Sequence, residues 1–214
     1  GILTVVSGDG WTELFKKLGA DVVSGGQSMN PSVQELSSGM DNGQYEKYII
    51  LPNNKNIILA AQQLQKMMGE KVHIVPSTNP MEGLAAAMAF SEDNTLEENL
   101  AAMKERMGDI ATAMITTAVR DSIVGETVIH KDDFMGIMKN HEVIAEKDFT
   151  KCFLDVLSHL ITEDTEIVTI YSGKDLSEED CLKEIDKAEK KYPDVTFETY
   201  QGGQPLYPMF ISAE

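Results

Sequence analysis

Residues 1–76 alternate between two kinds of apolar pattern, and this alternation constrains the fold more than any other feature of the sequence. Short apolar runs with the length of buried strands occur at 2–6, 21–23, 48–51 and 71–75. The segments between them repeat their apolar residues with helical spacing, as Trp11, Leu14, Phe15 and Leu18 do. Strands that alternate with helices through short connections pair in parallel, so an α/β fold with a parallel sheet is predicted.

The pattern changes after residue 80. Helical spacing occurs at 81–90, 96–107 and 149–161 and again after Ser177, whereas strand-like runs occur at 110–119, 126–129, 142–145, 166–171, 195–200 and 206–212. This mixture predicts a second α/β subdomain with a mixed or antiparallel sheet. Pro76 and Pro80 favour a boundary at 76–83, which divides the chain into predicted subdomains 1–80 and 81–214.

Charge is distributed unevenly along the chain, whose net charge is −17. Residues 1–80 carry 6 basic and 7 acidic side chains, whereas residues 81–214 carry 12 and 28. Such an acidic half repels nucleic acid and anionic lipid. It suits either a basic partner or a solvated surface without a partner, and charge alone does not decide between them.

Composition also restricts the cellular setting. No apolar run reaches the roughly 18 residues that a membrane helix needs, and residues 1–10 lack the basic start of a signal peptide. Cys152 and Cys181 lie in helical patterns, and the four histidines show no ligand spacing with them. A cytoplasmic protein without a metal site is therefore expected.

Polar loops follow the predicted parallel strands, at the edge where α/β sheets bind ligands. Two of the loops are rich in glycine and amide side chains and open into helices, one of which is predicted to begin at Asn30-Pro31. They suit a carboxylate, a phosphate or a partner's backbone, but they equally suit simple caps and turns. The candidate binding residues are Gly25, Gly26, Gln27, Ser28, Met29, Asn30, Ser32, Asn53, Asn54, Lys55 and Asn56, together with Arg120 after a strand of the second half.

No catalytic set accompanies these loops. Neither loop matches the phosphate-binding G-x-x-x-x-G-K-[ST] pattern or the dinucleotide G-x-G-x-x-G pattern. Nothing in the sequence resembles a Ser/His/Asp or Cys/His arrangement. Arg120-Asp121 reads as a structural ion pair or as part of a binding surface. We therefore predict no catalytic residue in this chain.

Several motifs resemble one protein family. GGQSMNPSVQEL at 25–36, ILPNNKNIILAAQQ at 50–63, TTAVRDS at 116–122, EIVTIYSGKD at 166–175 and GGQPLYPMFISAE at 202–214 look like the C-terminal domain of the bacterial fatty-acid kinase A subunit. That family is dihydroxyacetone-kinase-like, and this domain resembles the DegV fold. The resemblance extends over essentially the whole chain, and it accounts for a sequence that begins without Met as a fragment of a longer protein.

The resemblance implies a role in making acyl phosphate from a fatty acid held by a separate DegV-like carrier protein. It places the ATP and Mg²⁺ sites in an N-terminal domain outside this chain, which then acts as a non-catalytic carrier-docking domain with no cofactor of its own. Homodimer formation stays open. The alternative is a small-ligand domain that itself binds a fatty acid or another carboxylate, with Ser28, Asn30 and Asn54 at the head group.

Overall fold

A computed structural model of the chain describes residues 1–25, 31–40 and 45–214. It contains two compact units, 1–110 and 111–214. The division lies after Ile110 and not at 76–83, the place that the sequence indicated. The two helices that follow Pro80 belong to the first unit, so the change of pattern near residue 80 does not mark the division.

The first unit is built on four parallel strands in the order β2-β1-β3-β4. This confirms the predicted parallel sheet. The strands are β1 (Ile2–Val6), β2 (Asp21–Ser24), β3 (Tyr48–Leu51) and β4 (Val72–Ile74), and the helices are α1 (Asp9–Lys17), α2 (Val33–Ser38), α3 (Lys55–Met68), α4 (Pro80–Met88) and α5 (Leu96–Asp109).

The central strand β1 is buried along its whole length. Leu3 and Val5 share a core with Leu36 of α2 and Leu64 of α3. Helices α1 and α4 pack on each other, and both contact β1. β1 thus packs against α2 and α3 in one core and also contacts α1 and α4. Because successive side chains of a strand point to opposite faces, a strand covered on both faces needs apolar residues at every position, which explains the continuous apolar run of β1.

Helix α2 begins later than the sequence suggested. Its N-cap is Ser32 and its first residue is Val33, so the helix starts after Pro31. The Ser32 hydroxyl accepts the backbone N–H of Glu35, whose carboxylate in turn accepts the backbone N–H of Ser32 at 2.7 Å. This reciprocal pair is a capping box, and the S-x-x-E spacing of residues 32–35 is its sequence signature.

The second unit holds a six-stranded sheet in the order β11-β10-β12-β5-β8-β9 and a separate hairpin of β6 and β7. Only β10 and β11 pair in parallel within the described residues of this unit, so the prediction of a mixed sheet is confirmed. Its elements are β5 (Ala111–Thr117), β6 (Ser122–Val124), β7 (Thr127–Ile129), β8 (Phe134–Met138), β9 (Val143–Glu146), α6 (Phe149–Leu160), β10 (Ile167–Ser172), α7 (Glu178–Lys191), β11 (Thr196–Gln201) and β12 (Met209–Ala213).

Two strands of this unit, β6 and β8, are absent from the sequence-based prediction. β8 carries Gly136 at its centre, and glycine ordinarily weakens a strand. A Cβ atom at Gly136 would collide with Val156 of α6 and with Ile144 of β9. The glycine therefore permits a close helix–sheet contact, which local sequence does not reveal.

None of the helices in the described ranges is long and apolar enough to cross a membrane. Those of the second unit instead pack on its sheet. Cys152 of α6 and Cys181 of α7 are buried in one apolar core with Ile170 of β10 and Ile211 of β12. The helical positions of both cysteines agree with the sequence pattern.

We predict that neither Cys152 nor Cys181 is alkylated while the chain is folded. Burial raises the pKa of the Cys152 thiol to about 12, and it also raises the pKa of the Cys181 thiol. Thiolate, the reactive form, is therefore suppressed relative to an exposed cysteine with a pKa of about 8.5. Intact-mass spectrometry after iodoacetamide treatment should show no adduct in buffer and adducts on both cysteines in guanidinium chloride. Rapid labelling in buffer would contradict the buried placement.

Candidate functional site

The candidate site lies at the carboxyl edge of the parallel sheet. The chain passes from β1 to β2 on one side, and it then returns to place β3 on the other side of β1. Such a reversal leaves a crevice between the loops after β1 and β3, where ligands of α/β proteins bind. Ser7 and Gly8 form the first loop and Pro52-Asn53-Asn54 the second. The described loops after β1 and β3 therefore lie at the same edge of the sheet.

Asn53 is the organising residue of this edge. Its amide Nδ2 donates to the Thr4 hydroxyl at 2.8 Å and to the Val5 carbonyl at 3.0 Å, and its Oδ1 accepts the Ser77 hydroxyl at 2.8 Å. Its backbone N–H donates to the same Ser77 hydroxyl at 3.0 Å. One side chain thus connects β1 to the loops that follow β3 and β4.

The backbone of Asn53 is also unusual, with a φ of 56°. Asparagine adopts this left-handed conformation more readily than most residues. The side chain is buried, and both of its amide hydrogens are used inside the protein. Asn53 therefore has no amide hydrogen left to offer a ligand, and its binding role stays an untested prediction that this geometry does not favour.

A second buried polar group stands at the start of α4. The carboxylate of Glu82 accepts the backbone N–H of Thr78 at 2.6 Å and its hydroxyl at 2.9 Å. The N-cap Asn79 accepts the backbone N–H of Glu82 at 2.9 Å. Ser77, Asn79 and Glu82 were not selected from the sequence, although the cap spacing of N-P-M-E at 79–82 would have identified Asn79 and Glu82.

The other predicted residues of the second loop play different parts. Asn54 is the N-cap of α3, and its Oδ1 accepts the backbone N–H of Asn56 at 2.9 Å. The side chains of Lys55 and Asn56 are exposed. Lys55 and Asn56 are thus the members of this loop that a partner could reach without breaking a side-chain bond within the protein.

The other described candidates have separate positions in the fold. Gly25 follows β2 and donates its N–H to the Val6 carbonyl at 3.1 Å, and Ser32 caps α2. Arg120 is exposed in the second unit, where its neighbour Asp121 accepts the backbone N–H of Lys131 at 2.7 Å. The candidates that lie outside the described residues are Gly26, Gln27, Ser28, Met29 and Asn30.

The described part of the chain lacks a cluster of the ligand groups that metal ions require. In residues 1–25, 31–40 and 45–214, no three His, Cys, Asp or Glu side chains come together in a way that could hold a metal ion.

Comparison with known proteins decides the family. The sequence profile of the FakA-like family, which comprises C-terminal domains like that of the fatty-acid kinase A protein, matches residues 1–214. The chain belongs to this family. An uncharacterized protein of Staphylococcus aureus strain USA300 is 35% identical to it over all 214 residues. The chain spans 39% of the length of that relative.

Solved structures share the fold of this family member at low sequence identity. A Thermus thermophilus DegV family protein, whose structure is described as showing fatty-acid binding, has a TM-score of 0.68 at 13% identity over 100% of this chain and 98% of its own. The dihydroxyacetone kinase from C. freundii, in complex with AMP-PNP and Mg²⁺, has a TM-score of 0.62 at 11% identity over 100% and 48%. The Streptococcus pneumoniae Fak B3 protein, loaded with linoleic acid, has a TM-score of 0.58 at 10% identity over 86% and 76%.

We predict that Asn53→Ala lowers the free energy of unfolding by roughly 2–4 kcal/mol. Buried partners on Thr4, Val5 and Ser77 would lose hydrogen bonds, and alanine would have to keep a positive φ. Urea denaturation followed by circular dichroism measures the change. The exposed Asn56→Ala is the matched control and should stay within about 0.5 kcal/mol of the parent. Equal effects of the two substitutions would contradict the structural role of Asn53.

We predict that Gly83→Ala also destabilises the fold, although alanine usually stabilises a helix by about 0.5–1 kcal/mol relative to glycine. A Cβ at Gly83 of α4 would collide with Oδ1 of Asn53, and the neighbouring side chain is fixed by its hydrogen bonds. The expected loss is about 1–3 kcal/mol in urea denaturation. A Cβ at Gly108 of α5 would have no neighbouring atom within 4 Å. Gly108→Ala is therefore the control and should leave the free energy of unfolding unchanged or slightly higher.

Proposed function

We propose that this chain is the non-catalytic, carrier-docking part of the A component of a fatty-acid kinase. In this proposal it positions a DegV-like fatty-acid-binding protein so that the acyl group can be phosphorylated elsewhere in the kinase. The family match over all 214 residues carries the proposal. The structural likeness to Fak B3, which was solved with linoleic acid, supports a connection to the same system.

The chemistry of the sheet edge supports docking over catalysis. A small-molecule site needs donors and acceptors that remain available to the ligand. At this edge, Asn53 and Asn54 are committed to bonds within the protein, as is the carboxylate of Glu82. Among the described residues of the edge, these groups hold loops and helix starts in place, which leaves exposed side chains to meet a partner.

The nucleotide chemistry of the kinase is assigned to another part of the protein. The chain spans 39% of the staphylococcal relative, so most of that relative's length lies outside the matched region. By resemblance, ATP and Mg²⁺ would bind in an N-terminal domain outside this chain. This chain would then supply partner recognition within a larger, multidomain enzyme.

Isothermal titration calorimetry with the DegV family proteins of the same genome, each loaded with oleic acid, tests the proposal directly. Saturable binding of at least one of them is expected. An absence of heat, together with separate elution in size-exclusion chromatography, would overturn the docking role. Native mass spectrometry of this chain with oleic acid alone addresses the alternative, because a stable acyl complex would indicate a ligand-holding domain.

We predict that Lys55→Glu raises the Kd for the carrier about fivefold or more, which corresponds to roughly 1 kcal/mol. Lys55 is exposed at the start of α3, beside the loop that ends β3. Lys66→Glu makes the same charge change near the other end of α3 and should leave the Kd within about twofold. Equal effects of the two charge reversals would place the docking surface away from the sheet edge.

A further inference from the structure

The hairpin of β6 and β7 presents apolar side chains to solvent on its outer face. Ile123 of β6 and Val128 of β7 lie directly opposite each other, and their exposed fractions are 71% and 57%. Val119, in the turn that leads into the hairpin, is 84% exposed. Single exposed aliphatic residues need no explanation, but Ile123 and Val128 are directly opposed and therefore form one exposed apolar surface. We call Ile123 and Val128 the hairpin patch.

The opposite face of the hairpin contacts the rest of the unit through Thr127 and Ile129, whereas Val124 on that face is 43% exposed. Ile129 is buried, and the Thr127 hydroxyl donates to the Val143 carbonyl of β9 at 3.0 Å. Side chains alternate between the two faces of a strand, so Ile123 and Val128 are the residues left outside. A two-stranded ribbon that covers a sheet normally has polar side chains on its outer face. Apolar residues on both faces indicate that a second surface covers the outer one.

Hydrogen bonds hold the base of the hairpin, and a tight turn closes its tip. Asp121 at its base accepts the backbone N–H of Lys131 at 2.7 Å. The backbone of Ala118 exchanges hydrogen bonds of 2.8 Å with Asp132 and Asp133. At its tip, Gly125 has a φ of 59°, as the first central position of a two-residue type II′ turn requires. A surface fixed before binding loses little conformational entropy when a partner docks.

A strained residue is anchored close to the same place. Leu206 has a φ of 68° and is 64% exposed, and its carbonyl accepts the Thr116 hydroxyl at 2.7 Å. Thr116 belongs to the end of β5, just before Val119. Holding leucine in the left-handed region costs about 1–2 kcal/mol. The fold therefore includes a strained residue whose aliphatic side chain is exposed to solvent.

Charge indicates the kind of partner that would cover the patch. The second unit carries 10 basic and 21 acidic side chains, and the whole chain has a net charge of −17. A second copy would bring the same negative charge, and anionic lipid would be repelled. A protein with an apolar cleft bordered by lysine or arginine complements both the projecting shape and the charge.

We infer that the hairpin patch inserts into an apolar, basic-rimmed cleft of the carrier protein. This inference rests on the proposed docking function and adds a contact by the second unit to the one proposed for Lys55. The basic rim would face the acidic second unit, whereas Lys55 would meet a separate part of the partner. In this arrangement, Ile123 and Val128 supply the buried apolar centre of the interface, while the acidic second unit steers the encounter.

The test compares two double substitutions of matched exposure in the 214-residue chain. Ile123→Ser with Val128→Ser removes the centre of the hairpin patch. Met67→Ser with Met88→Ser removes side chains of the first unit that are 75% and 64% exposed. Calorimetry with the oleate-loaded carrier should show a Kd at least about tenfold higher for the hairpin variant and a change of less than about twofold for the first-unit variant. Circular dichroism spectra and urea midpoints like those of the parent would show that both variants fold.

Each other outcome has a definite meaning. Equal Kd values for the hairpin variant and the parent would overturn the inference while leaving the proposed docking function intact. A parent chain that binds no carrier would overturn both. If light scattering showed a parent dimer that dissociates in the hairpin variant, the occupant would be a second copy and the inference would be wrong. A parent Kd that does not rise between low and high salt would contradict the basic rim.

Discussion

The hydrogen bonds of Asn53 are the interaction on which the first unit depends. Parallel strands end with backbone groups that lack ladder partners, and buried groups of this kind must be satisfied elsewhere. Asn53 satisfies the Val5 carbonyl, engages the Thr4 hydroxyl and fixes Ser77. It also sets the packing distance of α4, because Gly83 lies against its Oδ1 with no space for a Cβ. Loss of this amide would therefore disturb β1, the loops after β3 and β4, and α4 together.

The structural role of the side chains at the carboxyl edge of the parallel sheet is relevant to function. In α/β folds the carboxyl edge is the usual place for a ligand, and structures with the same fold include a DegV family protein described as binding fatty acid. In this chain the side-chain amide of Asn53 and the Oδ1 of Asn54 form bonds within the fold. A shared fold alone does not establish a shared ligand site, since function depends on which side chains remain available at that edge.

The second unit presents a different kind of surface. Its acidic side chains outnumber its basic ones by about two to one, and it displays a hairpin with apolar residues on its outer face. A stable isolated ribbon would ordinarily place polar residues there. An acidic surface favours long-range attraction of a basic partner, and exposed apolar residues favour close contact.

Local sequence determined the α/β class, the parallel arrangement of the first sheet, the mixed arrangement of the second and the family. It also identified the cap role of Asn54 at α3, because hydrophobic periodicity and helix capping involve neighbouring residues. Only the tertiary structure decided which distant groups meet. It committed the side chain of Asn53 to partners as remote in sequence as Thr4, made Gly136 a contact point for α6 and placed the division of the chain after Ile110. It also turned Ile123 and Val128 outward. Which face of a strand is covered depends on the surface packed against it, and a single strand's pattern does not contain that information.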